Sequence, residues 1–238
     1  MSSNVDLARA AIAQAKSIAV LTGAGVSAES GIPTFRSNGG FWKTRRFQDL
    51  ATAEGFLRDP AMVWQWYEER RRAVAATHPN AGHYALAQME TRAQRFTLIT
   101  QNVDDLHTRA GSNNILRLHG DIFVVRCLRC LRERVEPGLL PQLPPLCDCG
   151  GMLRPGVVWF GEMLPEGAME SATVAVEQAD VFLVIGTSAQ VYPAAGLIPQ
   201  AIRRGCTVIE VNAESTGFSD SVNIALRGTS AVVLPLLL

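Results

Sequence analysis

A short apolar run, Ile18-Ala19-Val20-Leu21, passes directly into Gly23-Ala24-Gly25, and this hand-over from a strand to closely spaced glycines constrains the fold more than any other stretch. Gly23, Gly25 and Ala28 fit the spacing G-x-G-x-x-G/A, in which glycine permits a tight turn and lets backbone N–H groups approach a diphosphate at a helix N-terminus. The spacing alone is common without any nucleotide behind it. The next residues also depart from the usual dinucleotide fingerprint. In place of an acidic residue about twenty positions on, the chain runs Gly31-Ile32-Pro33-Thr34-Phe35-Arg36 and then Gly39-Gly40-Phe41-Trp42.

The hand-over recurs along the chain. Helical spacing over 6–15 and 83–90 precedes apolar runs at 18–21 and 96–99, and apolar runs at 181–186 and 206–212 flank a predicted helix over 194–204. This alternation predicts a parallel α/β sheet. Ligands of open α/β sheets bind beyond the carboxyl ends of strands, and Leu21, Ile99, Ile185 and Val211 each lead into a block of small polar residues. Those blocks are expected to converge on one crevice. Two stretches break the rhythm: 32–77, rich in aromatics and arginines, and 123–154, rich in cysteine and proline. The predicted organisation is a larger unit from 1–31, 78–122 and 155–238, with a smaller discontinuous module of a helical part, 32–77, and a metal-binding part, 123–154.

Composition limits the partners. The 238 residues carry 22 Lys plus Arg against 22 Asp plus Glu, so net charge gives no case for nucleic acid or an anionic membrane surface. No apolar stretch has the length of a signal-peptide core or a membrane span, which reads as a cytoplasmic protein. Cys127-x2-Cys130 and Cys147-x-Cys149 can supply four thiolates to one structural zinc, with Gly150-Gly151 as the following turn. Two disulfides, unconnected thiols, or a site with three ligands remain open, and the second pair is one residue shorter than the usual C-x2-C. Cys206 reads as a small buried apolar residue.

Further blocks come in order: Thr100-Gln101-Asn102-Val103-Asp104 with Leu106-His107, then Leu118-His119-Gly120, the four cysteines, Pro155-Gly156-Val157-Val158-Trp159-Phe160-Gly161-Glu162, Gly186-Thr187-Ser188 and Val211-Asn212-Ala213-Glu214. With Gly23 to Arg36, this series resembles the signature blocks of the sirtuins, NAD-dependent protein deacylases, across nearly the whole chain. The resemblance implies a Rossmann-like parallel sheet with helices on both faces, plus a smaller helical and zinc-ribbon module. It implies NAD as co-substrate, one structural zinc, and acyl-lysine proteins or peptides as substrates.

Site roles carry over by matching position. From its surroundings alone His119 reads as a hydrogen-bonded residue at the core edge; the resemblance makes it the general base. Gly23, Ala24, Gly25 and Ser27 would line the diphosphate, and Phe35 and Arg36 would close over the reacting ribose. Gln101, Asn102 and Asp104 would face ribose and nicotinamide, although Asn102 and Asp104 also suit helix capping. Gly186, Thr187 and Ser188 would contact phosphate or adenosine; Asn212, Ala213 and Glu214 the adenosine ribose; Ser230 the adenine. Val157, Trp159 and Phe160 would border the acyl-lysine tunnel, with buried core as their alternative.

Tyr67 and Arg70 lie three residues apart in a predicted helix over 60–75 and so share a face. Arg70 opens Arg70-Arg71-Arg72, and such runs are usually solvated. The pair nevertheless matches the Tyr-x-x-Arg of the sirtuin subgroup that removes succinyl and malonyl groups, so both acetyl and succinyl turnover are expected. Two rival readings use the same residues: a protein ADP-ribosyltransferase, or a non-enzymatic zinc-ribbon binding module.

Overall fold

The computed structural model describes residues 2–34 and 47–238. Its centre is a six-stranded sheet built from β1 (Ser17–Thr22), β2 (Arg95–Thr100), β3 (Ile115–Arg117), β7 (Val181–Ile185), β8 (Thr207–Asn212) and β9 (Ile224–Arg227). The strands lie in the order β3-β2-β1-β7-β8-β9, parallel throughout. Every residue of β1 is buried. Its side chains alternate between two cores, as the period of two in a strand requires. Ile18 and Val20 join one cluster, and Ala19 and Leu21 join the other. Past Thr22 the chain turns through the glycines into the short helix α2 (Gly25–Ala28).

Helices cover both faces. On the first, α1 (Ser2–Gln14) and α4 (Ala81–Arg92) contribute Ala8, Ala85, Leu86 and Met89. On the second, α5 (Ala168–Glu177) and α6 (Leu197–Arg204) contribute Ala172, Val176, Leu197, Ile198 and Ala201. The Rossmann-like expectation holds. Strand order reverses between β1 and β7, which makes the C-terminal ends of these two strands the switch point where such sheets bind ligands.

A second, antiparallel sheet is built from β4 (Gly120–Cys127), β5 (Glu133–Val135) and β6 (Leu153–Val157), in the order β5-β4-β6. Against it packs α3 (Pro60–Ala76), and the two share a third core containing Trp64, Ile122, Val125, Leu153 and Trp159. The start of α3 is set locally. Asp59 accepts the Met62 N–H at 3.0 Å, and Pro60 occupies a first-turn position where a missing N–H is harmless. Asn80 caps α4 in the same way, accepting the Gly82 N–H at 2.9 Å, while His83 Nδ1 accepts the Asn80 N–H at 3.3 Å.

The arginine run is not a solvated face. Arg71 is 2% exposed: it donates to the Ile122 carbonyl at 2.9 Å and to those of Gly138 and Glu136, and it pairs with Glu68 at 3.1 Å. Arg70 is also buried, and only Arg72 carries an exposed side chain. Burial selects two of the three because Arg70 faces the cleft and Arg71 faces β4, whereas Arg72 turns to solvent.

Candidate active site

The polar blocks at the strand ends do converge. A cleft of about 1490 Å³ opens at the switch point and is lined by the loops after β1, β2, β7 and β8, by α3, and by the segment after β6. Gly23, Ala24 and Gly25 line it together with Gly186, Thr187 and Ser188. The glycines serve chain packing as well as any ligand. Gly23 and Gly25 donate their N–H groups to Ile185 and Gly186 carbonyls at 3.0 and 2.8 Å. A Cβ on Gly25 would lie 2.7 Å from the Gly186 Cα, and Gly186 itself has φ +58°. No other residue allows this approach.

At the adenosine end suggested by sequence, Asn212, Ala213, Glu214 and Ser230 line the cleft. Asn212 Nδ2 donates to the Thr187 carbonyl at 3.0 Å, tying the β7 and β8 loops together. Behind them the buried Glu210 carboxylate accepts from Thr216 at 2.5 Å, Ser219 at 2.6 Å and Arg227 at 2.7 Å, which fixes the loop carrying Glu214. Ser230 is 4% exposed and its hydroxyl donates to the Val26 carbonyl at 3.3 Å.

His119 lines the cleft after β3, at the junction of the two sheets. Its Nδ1 lies 2.9 Å from the Gln101 carbonyl oxygen. A carbonyl can only accept, so Nδ1 carries the proton and Nε2 is left as the basic nitrogen. Burial pushes the His119 pKa below its usual 6.5, with the Gln101 contact opposing. Gln101 and Asn102 line the cleft beside it, Gln101 Nε2 donating to Thr187 Oγ1 at 3.1 Å.

Ser27 and Asp104 sit behind the wall instead of on it. Ser27 donates to Asp104 Oδ2 at 3.0 Å and accepts from Asn102 Nδ2 at 3.2 Å, and Asp104 Oδ1 accepts the Leu106 N–H at 3.1 Å at the start of the short helix Leu106–Arg109. Asp104 precedes the N-cap residue, Asp105, and its contact with the Leu106 N–H holds the turn that leads into this helix. Burial raises the Asp104 pKa. Two histidines complete this layer, their rings tilted at 58° with centroids 4.8 Å apart: His83 near Ser27 at 3.5 Å, and His107 at 3.1 Å from Thr22 Oγ1. Burial lowers His83 to about 4 and places His107 well below its usual value, so both are neutral supports.

Tyr67, Arg70, Val157, Trp159 and Phe160 line the opposite part of the cleft. The Arg70 guanidinium lies 4.6 Å from the Trp66 ring centroid and 5.9 Å from that of Tyr67. Burial lowers Arg70 and raises Tyr67, which keeps the phenol protonated, while a guanidinium holds its proton in any case. Ala51, Trp66, Met163 and Tyr192 also line the cleft and were not legible as site residues, because nothing local distinguishes them from core or surface apolar side chains. Phe35 and Arg36 lie outside the described residues.

The four cysteines come together, their Sγ atoms all within 4.8 Å of one another. The Sγ separation of 3.8 Å for Cys130–Cys147 matches the ~3.8 Å edge of a tetrahedron with Zn–S bonds of ~2.3 Å, and that of 3.5 Å for Cys127–Cys149 is slightly shorter. All are free of disulfides. The N–H groups of Cys130 and Arg129 point at Cys127 Sγ at 3.4 and 3.3 Å and pull its thiol down to about 6, toward the thiolate a metal needs. Gly151 is required here, since a Cβ would meet Cys127 Sγ at 2.8 Å. The donor set fits one structural zinc.

Comparison with known proteins agrees with this geometry. The Sir2 family profile matches residues 23–193, and the chain belongs to that family. It is 53% identical to an NAD-dependent protein deacylase of Aquifex aeolicus over 84% of each chain. A protein of the same description from Mycobacterium tuberculosis is 50% identical, over 93% of this chain and 96% of that one. Among solved structures, a Sir2 homologue in complex with NAD superimposes with a TM-score of 0.91 at 47% identity, covering 98% of this chain and 92% of the other. A Sir2 variant holding a deacetylated peptide and 3′-O-acetyl-ADP-ribose superimposes with a TM-score of 0.90 at 30% identity, over 100% and 96%. Among the described residues no helix is long and apolar enough to cross a membrane.

Proposed function

We propose that the chain is an NAD-dependent protein-lysine deacylase that acts on acyl-lysine in proteins or peptides, consumes NAD and one water, and releases nicotinamide, free lysine and O-acyl-ADP-ribose. The observation that carries the reading is the orientation of His119: its Nδ1–H is committed to the Gln101 carbonyl, so the basic Nε2 is available in the cleft between the glycine loops and the Tyr67–Arg70 wall. Bound NAD supplies the activated ribose carbon from which nicotinamide departs and the hydroxyl groups that accept the acyl group. His119 Nε2 removes a proton from a ribose hydroxyl as that transfer proceeds. Gly23, Ala24, Gly25, Gly186, Thr187, Ser188, Asn212, Ala213, Glu214 and Ser230 hold the nucleotide, Gln101 and Asn102 its reacting end, and Ser27 with Asp104 backs them. By sequence Phe35 and Arg36 belong to the same assignment. Four cysteines held as zinc thiolates suit a reducing, cytoplasmic setting.

Tyr67 and Arg70 extend the reading to carboxylated acyl groups. A guanidinium and a phenol on one helix face, both buried at the cleft, can grip a carboxylate by charge-assisted hydrogen bonds. Succinyl-lysine and malonyl-lysine are therefore substrates beside acetyl-lysine. Arg70→Met should lower kcat/KM for a succinyl peptide by at least ~30-fold, equivalent to losing about 2 kcal/mol. An unchanged value removes the carboxylate reading. Mass spectrometry of the products separates the activity from ADP-ribosyl transfer, which would leave the added mass on the acceptor protein.

A further inference from the structure

Trp159 is 3% exposed and held from several sides. The Arg154 guanidinium carbon lies 3.5 Å from its ring centroid, and the Phe56 ring packs at 5.2 Å. Glu162 accepts the Trp159 backbone N–H at 2.8 Å and pairs with Arg154 through both of its oxygens, one of them at 2.9 Å. The indole Nε1 then reaches Tyr67 Oη at 3.0 Å. An indole N–H can only donate, so the direction of this bond is fixed and the Tyr67 oxygen is the acceptor. A phenol has a single proton. With Trp159 donating to its oxygen, Tyr67 must send that proton elsewhere, and none of the described residues accepts it.

We propose that Trp159 is a positioning residue for the acyl pocket: its indole N–H occupies the Tyr67 oxygen and so turns the Tyr67 hydroxyl proton toward the carboxylate of a succinyl or malonyl chain. The inference rests on the reading of Tyr67 and Arg70 as carboxylate-binding residues. Arg154 and Glu162 lock the indole in place. Donation into the phenol oxygen also polarises its O–H bond, which strengthens the bond that the hydroxyl donates. An acetyl group offers no anion to that proton. The device therefore acts on selectivity between carboxylated and neutral acyl groups.

Trp159→Phe keeps an aromatic ring between Arg154 and Phe56 and removes the N–H together with part of the buried ring volume. The test compares kcat/KM on succinyl and acetyl peptides for the wild type, Trp159→Phe, Tyr67→Phe and the double variant. Each single substitution is expected to lower the succinyl-to-acetyl ratio by ~10-fold, the scale of one hydrogen bond to a charged group. In the double variant the ratio should fall no further, because Trp159 acts through the Tyr67 hydroxyl. A ratio unmoved by Trp159→Phe, or two effects that multiply in the double variant, overturns the inference. A wild-type protein that turns over acetyl but not succinyl peptide instead overturns the carboxylate reading beneath it. Arg154→Lys loosens the indole without removing it and should shift the ratio in the same direction. That variant keeps the inference testable if Trp159→Phe does not fold, and an unchanged ratio in it counts against the lock.

Discussion

The proton on His119 Nδ1 determines what the other ring nitrogen can do. Because that proton is held by a backbone carbonyl, no side-chain substitution at Gln101 removes it, and Nε2 stays a base while the ring is neutral. Burial lowers the His119 pKa, so the neutral form persists into mild acid. The acid limb of kcat/KM for acyl peptide should therefore have its midpoint below pH 6.5. A midpoint above pH 7 would mean that the cleft stabilises the charged imidazole and that another group serves as base. At this scale the four cysteines were legible from residue type and spacing, whereas His119 stood out only through the family resemblance. The sequence was silent on which nitrogen of His119 faces the cleft, since that depends on a contact across 18 residues.

At the scale of elements, α3 carries both the candidate acyl pocket and a buried ion pair. Tyr67 and Arg70 face the cleft, while Glu68 and Arg71 face β4 and the segment after β5. Leu140 N–H also approaches Glu68 at 3.4 Å, so the pair anchors a segment with little regular structure. Removing one partner leaves the other buried and uncompensated. Glu68→Ala should destabilise the protein by about 3–5 kcal/mol in urea unfolding. A loss below ~1 kcal/mol would show that Arg71 is satisfied by its carbonyl partners alone. A sequence run of three arginines conceals this, because which of them is buried depends on the angle at which α3 meets β4.

Across the whole molecule, the long apolar strands β1, β2, β7 and β8 were legible because burial on both faces makes them continuous apolar runs beside helically spaced segments. β3 and β9, of three and four residues, carry Arg117 and Arg227 and leave almost none. The layer beneath the cleft, in which Thr22, Ser27, Thr100, His83 and His107 meet from separate elements, is visible only once the sheet is assembled. That layer predicts acid sensitivity. Between pH 6.5 and about 4 the unfolded chain binds a proton on His83 that the folded chain refuses, so stability is full above pH 6.5 and is lost as pH falls. His83 alone accounts for about 3 kcal/mol over that window, and His107 adds in the same direction. Urea midpoints measured from pH 7 to 5 should fall in the wild type and fall less steeply in His83→Gln; equal slopes would exclude His83 as a source.

The role of His119 as base in an NAD-dependent deacylation is measured by nicotinamide release with an acetyl peptide and a succinyl peptide, wild type beside His119→Tyr. Release with both peptides, dependent on NAD, and a loss of at least ~100-fold in the variant are expected. Release that survives His119→Tyr, or ADP-ribose left on the acceptor in place of bare lysine, would contradict that role.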